Sequence, residues 1–182
     1  MNLPNKITVF RIVMIPVFII CMSVNFTGHE IAALIVYIVA AASDFVDGHI
    51  ARSQNLITDF GKFMDPLADK LLTSAAFICL VELKMIPAWV VITIIAREFA
   101  ITGLRTLAAN NGTVIAASMW GKAKTMSQMI STVLLLVALI PQMQAYPIIG
   151  LLGNIGIYIA LILTIISGVD YFRLNKDVFQ SM

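Results

Sequence analysis

Five of the chain's ten acidic residues lie between Asp44 and Asp69, and their spacing is regular enough to build a site. Asp44 and Asp47 are three apart, so on a helix they share one face, with Ala51 further along the same stripe. Asp65 and Asp69 are four apart, with Gly61 one turn before Asp65. Two neighbouring helices of this kind aim four carboxylates into one pocket. Gly48, Ala51 and Gly61 line the same faces with almost no side chain, so helices and a bulky ligand can approach the backbone closely.

Each feature has an ordinary counterpart. Asp65-Pro66 is a reasonable helix start, glycines pack membrane helices, and Asp44 or Asp47 can pair with Arg52. Together these do not account for the cluster. An Asp near the centre of a membrane-spanning helix costs roughly 2.5–3.5 kcal/mol, and four facing carboxylates repel one another unless a cation neutralises them. The cation expected is hard and oxygen-seeking: Mg²⁺, with Mn²⁺ or Ca²⁺ as alternatives. Carboxylate-held metal beside Arg52 suits phosphates, because both neutralise phosphoryl oxygens during displacement. A carboxylate not consumed by the metal can take the proton of an attacking hydroxyl, and Asp69, last in the series, is the natural candidate.

The elements that must hold these residues are membrane helices. The chain has 182 residues, is 60% hydrophobic and 12% charged, and has a mean hydropathy of +0.95. Soluble domains carry about 25% charge, so water cannot be the solvent for most of this surface. Six stretches approach the roughly 20 apolar residues that a span requires: about 7–26, 31–53, 61–82, 86–108, 121–141 and 147–171. The breaks between them are short, so one domain over 1–182 is expected. The first stretch is too long for a signal-peptide core and lacks a small-x-small cleavage site, so it reads as a retained helix. With six helices and both termini on one side, eleven of the twelve Lys and Arg residues fall on that side and only Lys84 opposes them. The expectation is therefore a six-transmembrane-helix bundle, all-α, with both termini and the acidic cluster at the cytoplasmic face. The net charge of +2 reflects this orientation and gives no case for nucleic acid. Cys21 and Cys79 fall inside predicted helices and read as small buried hydrophobes. Trp89, Trp120, Tyr146 and Tyr171, near helix ends, read as interfacial anchors.

The pattern D-x2-D-G-x2-A-R-x8-G-x3-D-x3-D from Asp44 to Asp69 resembles the signature of the CDP-alcohol phosphatidyltransferase family, with no position missing. Four further segments resemble its bacterial members that use glycerol 3-phosphate: Asn2 to Thr8, Ile95 to Arg105, Gly121 to Thr125 and Ser167 to Phe172. The likeness thus runs nearly end to end. It implies a homodimer in the bacterial cytoplasmic membrane that transfers a phosphatidyl group from CDP-diacylglycerol to glycerol 3-phosphate and releases CMP. Carried over residue by residue, Asp44, Asp47, Asp65 and Asp69 hold one or two divalent ions, and Asp69 is the general base. Gly48, Ala51, Arg52 and Gly61 surround the CDP moiety, with Asn5 and Thr58 as further contacts to the nucleotide-lipid head. His49 fills a variable position, and Asp59 is expected in a solvated loop.

The acceptor's own phosphate needs cationic partners outside the metal site, and Arg97, Arg105, Lys122 and Lys124 are the candidates. Arg105 lies seven residues after Glu98, near the same helix stripe, so an ion pair with Glu98 is its other reading. For Lys122 and Lys124 the other reading is membrane orientation alone. Within the family, inositol phosphate or serine as acceptor would keep every metal residue and change only the basic pocket. A divalent-cation transporter would instead place acids near mid-membrane on several helices, with a path to both sides. The one-ended cluster disfavours that.

Overall fold

The computed structural model describes residues 3–53, 59–110 and 119–174. Among them there are six α-helices and one short 3-10 turn, and no strand. The helices are α1 (Leu3–Ser23), α2 (His29–Ser53), α3 (Asp59–Glu82), α4 (Ala88–Asn110), α5 (Met119–Leu139) and α6 (Pro147–Leu174), with the turn at Pro141–Met143. At 1.5 Å per residue, helices of this length reach roughly 30–40 Å, enough for the bilayer core.

The ends follow from local chemistry. Pro4 sits in the first turn of α1, where its missing N–H costs nothing. Pro16 lies inside α1, and Pro87 stands just before α4. Between α1 and α2 the chain turns at Gly28, whose φ of 81° lies in the left-handed region that glycine enters freely. α3 ends in a Schellman motif: Met85 N–H donates to Leu80 C=O at 2.9 Å and Lys84 N–H to Val81 C=O at 2.9 Å. Lys84 occupies the left-handed position with φ 59°, unusual for a side chain of this size. Asp59, expected in a loop, is the first residue of α3. Pro66 correspondingly lies within α3 rather than at its start.

Two three-helix groups meet in the bundle. α1 packs along α2 and α3, while α6 packs along α5 and α4. The two groups join through α2 with α5, α3 with α4 and α3 with α5. The shared core includes Phe18, Tyr37, Phe77, Ile94, Leu135 and Ile157, one residue from each of the six helices, and Cys21 and Cys79 are both buried in it. Small residues set the α5–α6 distance. A Cβ added at Gly153 would lie 2.8 Å from Leu135 Cγ and 3.3 Å from its backbone nitrogen, and Ser127 Oγ donates to Gly156 C=O at 3.0 Å.

Large apolar side chains cover the outside: Ile155, Ile159, Ile162, Ile166 and Val169 of α6 are all exposed, as are Val13, Val17 and Ile20 of α1. A helix hydrophobic all round belongs in an apolar solvent. Asn5–Ser23 and Pro147–Arg173 are long and apolar enough to cross a membrane by length and composition. In α2 to α5 the apolar run is interrupted by the charged residues gathered toward one end, as at Asp44, Asp69, Arg97 and Lys124.

Candidate functional site

The alternating helices bring the last turns of α2, the first turns of α3 and α5, and the later turns of α4 and α6 to one end of the bundle. α2 carries Asp44, Asp47, Gly48, Ala51 and Arg52 in its closing turns. The side chains from 44 to 53 lie outside the described residues, as does Thr58 altogether. α3 carries Gly61, which is buried, and then Asp65 and Asp69 one turn apart.

A stripe of α1 faces this end. Asn5, Thr8 and Arg11 recur every three residues and are all buried, although apart from Lys6 and Ser23 the rest of α1 is apolar. Thr8 Oγ1 donates a hydrogen bond to Asp65 Oδ1. Arg11 is fully buried, and its Nε lies 3.5 Å from Ser43 Oγ, one residue before Asp44. A guanidinium in the interior needs compensating polar surroundings, and Ser43 at the edge of the acidic segment supplies one such group. Sequence reasoning named Asn5 alone. The three-residue spacing of polar residues in an apolar helix was the available signal for Thr8 and Arg11.

Asp69 opens onto a cavity of about 160 Å³ whose lining includes Arg97, Glu98, Arg105, Lys124 and Tyr171. Three of the four basic residues expected at the acceptor's phosphate are therefore gathered on one hollow with Asp69. Lys122 is exposed and does not line it. Lys70, which sequence reasoning left unassigned, does. Four cationic against two acidic side chains leave this wall with two positive charges in excess, matching a phosphate monoester near neutral pH.

Glu98 organises part of that wall. Its Oε1 accepts from Lys124 Nζ and from Arg97 Nη1, the latter at 3.3 Å. The Lys124 side chain is only 2% exposed, so this pair is held away from water between α4 and α5. The ion pair considered for Arg105 is thus made by Lys124 and Arg97 instead, while Arg105 stays exposed on the cavity. Tyr171, expected as an interfacial anchor, is 5% exposed and turned inward to the same hollow. Trp89, Trp120 and Tyr146 are exposed, as anchors should be.

Among the described residues no group of three or more His, Cys, Asp or Glu side chains converges on a metal-sized position. Asp65 and Asp69 are two of the four proposed ligands, and they supply carboxylate oxygen only, the donor that a hard divalent ion takes. The other two, Asp44 and Asp47, follow at helical spacing on α2.

Residues 1–166 match the model of a protein family described as CDP-alcohol phosphatidyltransferase. Several curated relatives carry the name CDP-diacylglycerol–glycerol-3-phosphate 3-phosphatidyltransferase. The one from Bacillus subtilis is 45% identical, with 99% of this chain and 98% of the relative covered. That from Rickettsia bellii is 37% identical, covering 98% and 97%, and that from Sodalis glossinidius 33%, covering 99% and 98%.

Proposed function

The chain belongs to the CDP-alcohol phosphatidyltransferase family, and from that premise we propose that it transfers the phosphatidyl group of CDP-diacylglycerol to glycerol 3-phosphate, yielding phosphatidylglycerophosphate and CMP. Full-length similarity to relatives named for this reaction supports the substrates. The observation that carries the site is the single hollow shared by Asp69, Arg97, Arg105 and Lys124.

The chemistry runs as a displacement at phosphorus. Asp44, Asp47, Asp65 and Asp69 would hold one or two Mg²⁺ ions, which supply charge neutralisation at the donor's pyrophosphate when bound. Gly48, Ala51 and Gly61 leave room for the CDP group against the helix backbones, with Arg52, Asn5 and Thr58 as its polar contacts. Thr8 fixes the Asp65 carboxylate by hydrogen bonding. Asp69 takes the proton from the acceptor's free primary hydroxyl as that oxygen bonds to the phosphorus bearing diacylglycerol. The bond from this phosphorus to the bridging pyrophosphate oxygen breaks, and CMP leaves with the electron pair. Arg97, Arg105 and Lys124 hold the acceptor's phosphate far enough from Asp69 to present its hydroxyl there. Serine offers a single carboxylate charge beside its own ammonium in place of a phosphate, and so fits the wall less well.

A six-span bundle in the bacterial cytoplasmic membrane, with both termini and this site on the cytoplasmic side, completes the reading. It is supported by the eleven-to-one distribution of basic residues. This arrangement keeps the donor's acyl chains in lipid while its head group meets a water-soluble acceptor. The homodimer belongs to the same reading through the family resemblance.

The test is CMP release by the purified chain in detergent with CDP-diacylglycerol and Mg²⁺, offering glycerol 3-phosphate, inositol phosphate or serine. Turnover with glycerol 3-phosphate that EDTA abolishes is expected. Turnover only with another acceptor would overturn the substrate, and release indifferent to EDTA would overturn the metal.

A further inference from the structure

A carboxylate is an odd component of a wall built for an anion, since Glu98 cancels part of the attraction that the cations provide. Its ion pairs use only half of it. Lys124 Nζ and Arg97 Nη1 both approach Oε1, whereas among the described residues Oε2 accepts no hydrogen bond. Glu98 also lines two hollows at once. One is the larger cavity with Asp69, Arg97, Arg105 and Lys124; the other is a small one of about 20 Å³ with Asp69, Thr73 and Gln128. The side chain therefore lines a hollow in common with both Asp69 and the basic residues, and is 20% exposed.

We propose that Glu98 is a specificity-determining residue, whose Oε2 accepts a hydrogen bond from the second, non-reacting hydroxyl of a polyol-phosphate acceptor. The inference rests on the proposed function and deepens it. With the attacking hydroxyl at Asp69 and the phosphate at the cations, the carbon between them carries the remaining hydroxyl past Glu98. An ionised carboxylate is an acceptor only, so it welcomes an O–H and gains nothing from a C–H at the same place. An acceptor lacking that hydroxyl leaves a desolvated charged oxygen unpaired, the asymmetry by which sites reject analogues missing a single donor.

The experiment compares kcat/KM for glycerol 3-phosphate with that for 3-hydroxypropyl phosphate, identical but for the middle hydroxyl. It uses the full chain in detergent with CDP-diacylglycerol and Mg²⁺. Wild type is expected to favour glycerol 3-phosphate by roughly 10–100-fold, the range for a hydrogen bond to a charged group. In Glu98→Ala the ratio should fall toward unity, and in Glu98→Gln, whose amide oxygen accepts a weaker, uncharged hydrogen bond, it should fall part of the way, whatever happens to the absolute rates. The ratio is unaffected by the fraction of folded enzyme, because both acceptors meet the same sample. Wild type using both acceptors within threefold would overturn the proposal without any variant. So would variants that lose activity toward both acceptors equally and keep the ratio, since Glu98 would then act only by holding Lys124 and Arg97. No turnover with glycerol 3-phosphate by wild type would overturn the proposed function itself, a result distinct from turnover without discrimination.

Discussion

The two ends of the bundle differ in a way that size alone would misjudge. The end formed by the α1–α2 and α5–α6 connections holds the roomier hollow, about 760 Å³, lined by 25–31 with Pro141 and Gln142. Its ionisable groups are His29 and Glu30, 3.3 Å apart and occupied with each other, and His29 Nδ1 also meets Cys21 C=O at 3.1 Å. At the opposite end, the described residues frame a hollow of about 160 Å³ and surround it with two carboxylates and four cations. Chemistry follows the density of converging charged groups rather than the volume, because burying each such group has a cost that only function or a partner offsets.

That contrast can be broken most forcefully at Asp69. Replacing it by Asn keeps the shape and removes the base, so kcat should fall by about 10²–10⁴, the range for losing general-base assistance. His29→Ala at the other end should leave kcat and both KM values within about twofold, measured in the same CMP-release assay. Equal losses at the two ends would erase the distinction.

Packing between α5 and α6 at Gly153 involves none of the charged groups of the site and so acts as a control. Gly153→Val places a side chain against Leu135 and should lower stability by about 1–3 kcal/mol, read as a reduced thermal midpoint in detergent. Activity per folded molecule should change little, because Gly153 lies in the first turns of α6, toward the α5–α6 connection and away from the site.

Smaller effects sharpen the picture. Lys122→Ala removes an exposed charge that does not face the cavity, so the KM for glycerol 3-phosphate should shift less than about twofold. Lys84→Gly relieves a left-handed residue at the α3 C-terminus and should raise stability by up to about 1 kcal/mol without changing turnover.

Much of this was legible from the sequence because the information is local. Apolar run length and the breaks at Asn25 to Glu30, Glu82 to Lys84, Asn110 to Thr113 and Pro141 to Pro147 located six helices within a few residues. Spacing alone put Asp65 and Asp69 on one face of α3. What escaped was set by contacts distant in sequence. Thr8 meets Asp65 across 57 positions, and Lys124 meets Glu98 across 26. Tyr171 looked like an anchor because it lies near a helix end, yet the meeting of α6 with α4 decides that it faces inward. Arg11 looked like an orientation charge, and only the packing of α1 against α2 buries it beside Ser43.

The central claim is that donor chemistry and acceptor phosphate share one hollow but use different residues, and Arg105→Ala tests it most directly. Steady-state kinetics should show the KM for glycerol 3-phosphate rising roughly 10-fold or more, as expected for losing a hydrogen-bonded charge, while the KM for CDP-diacylglycerol stays within about twofold. A change confined to the CDP-diacylglycerol KM, or no change in either, would contradict it.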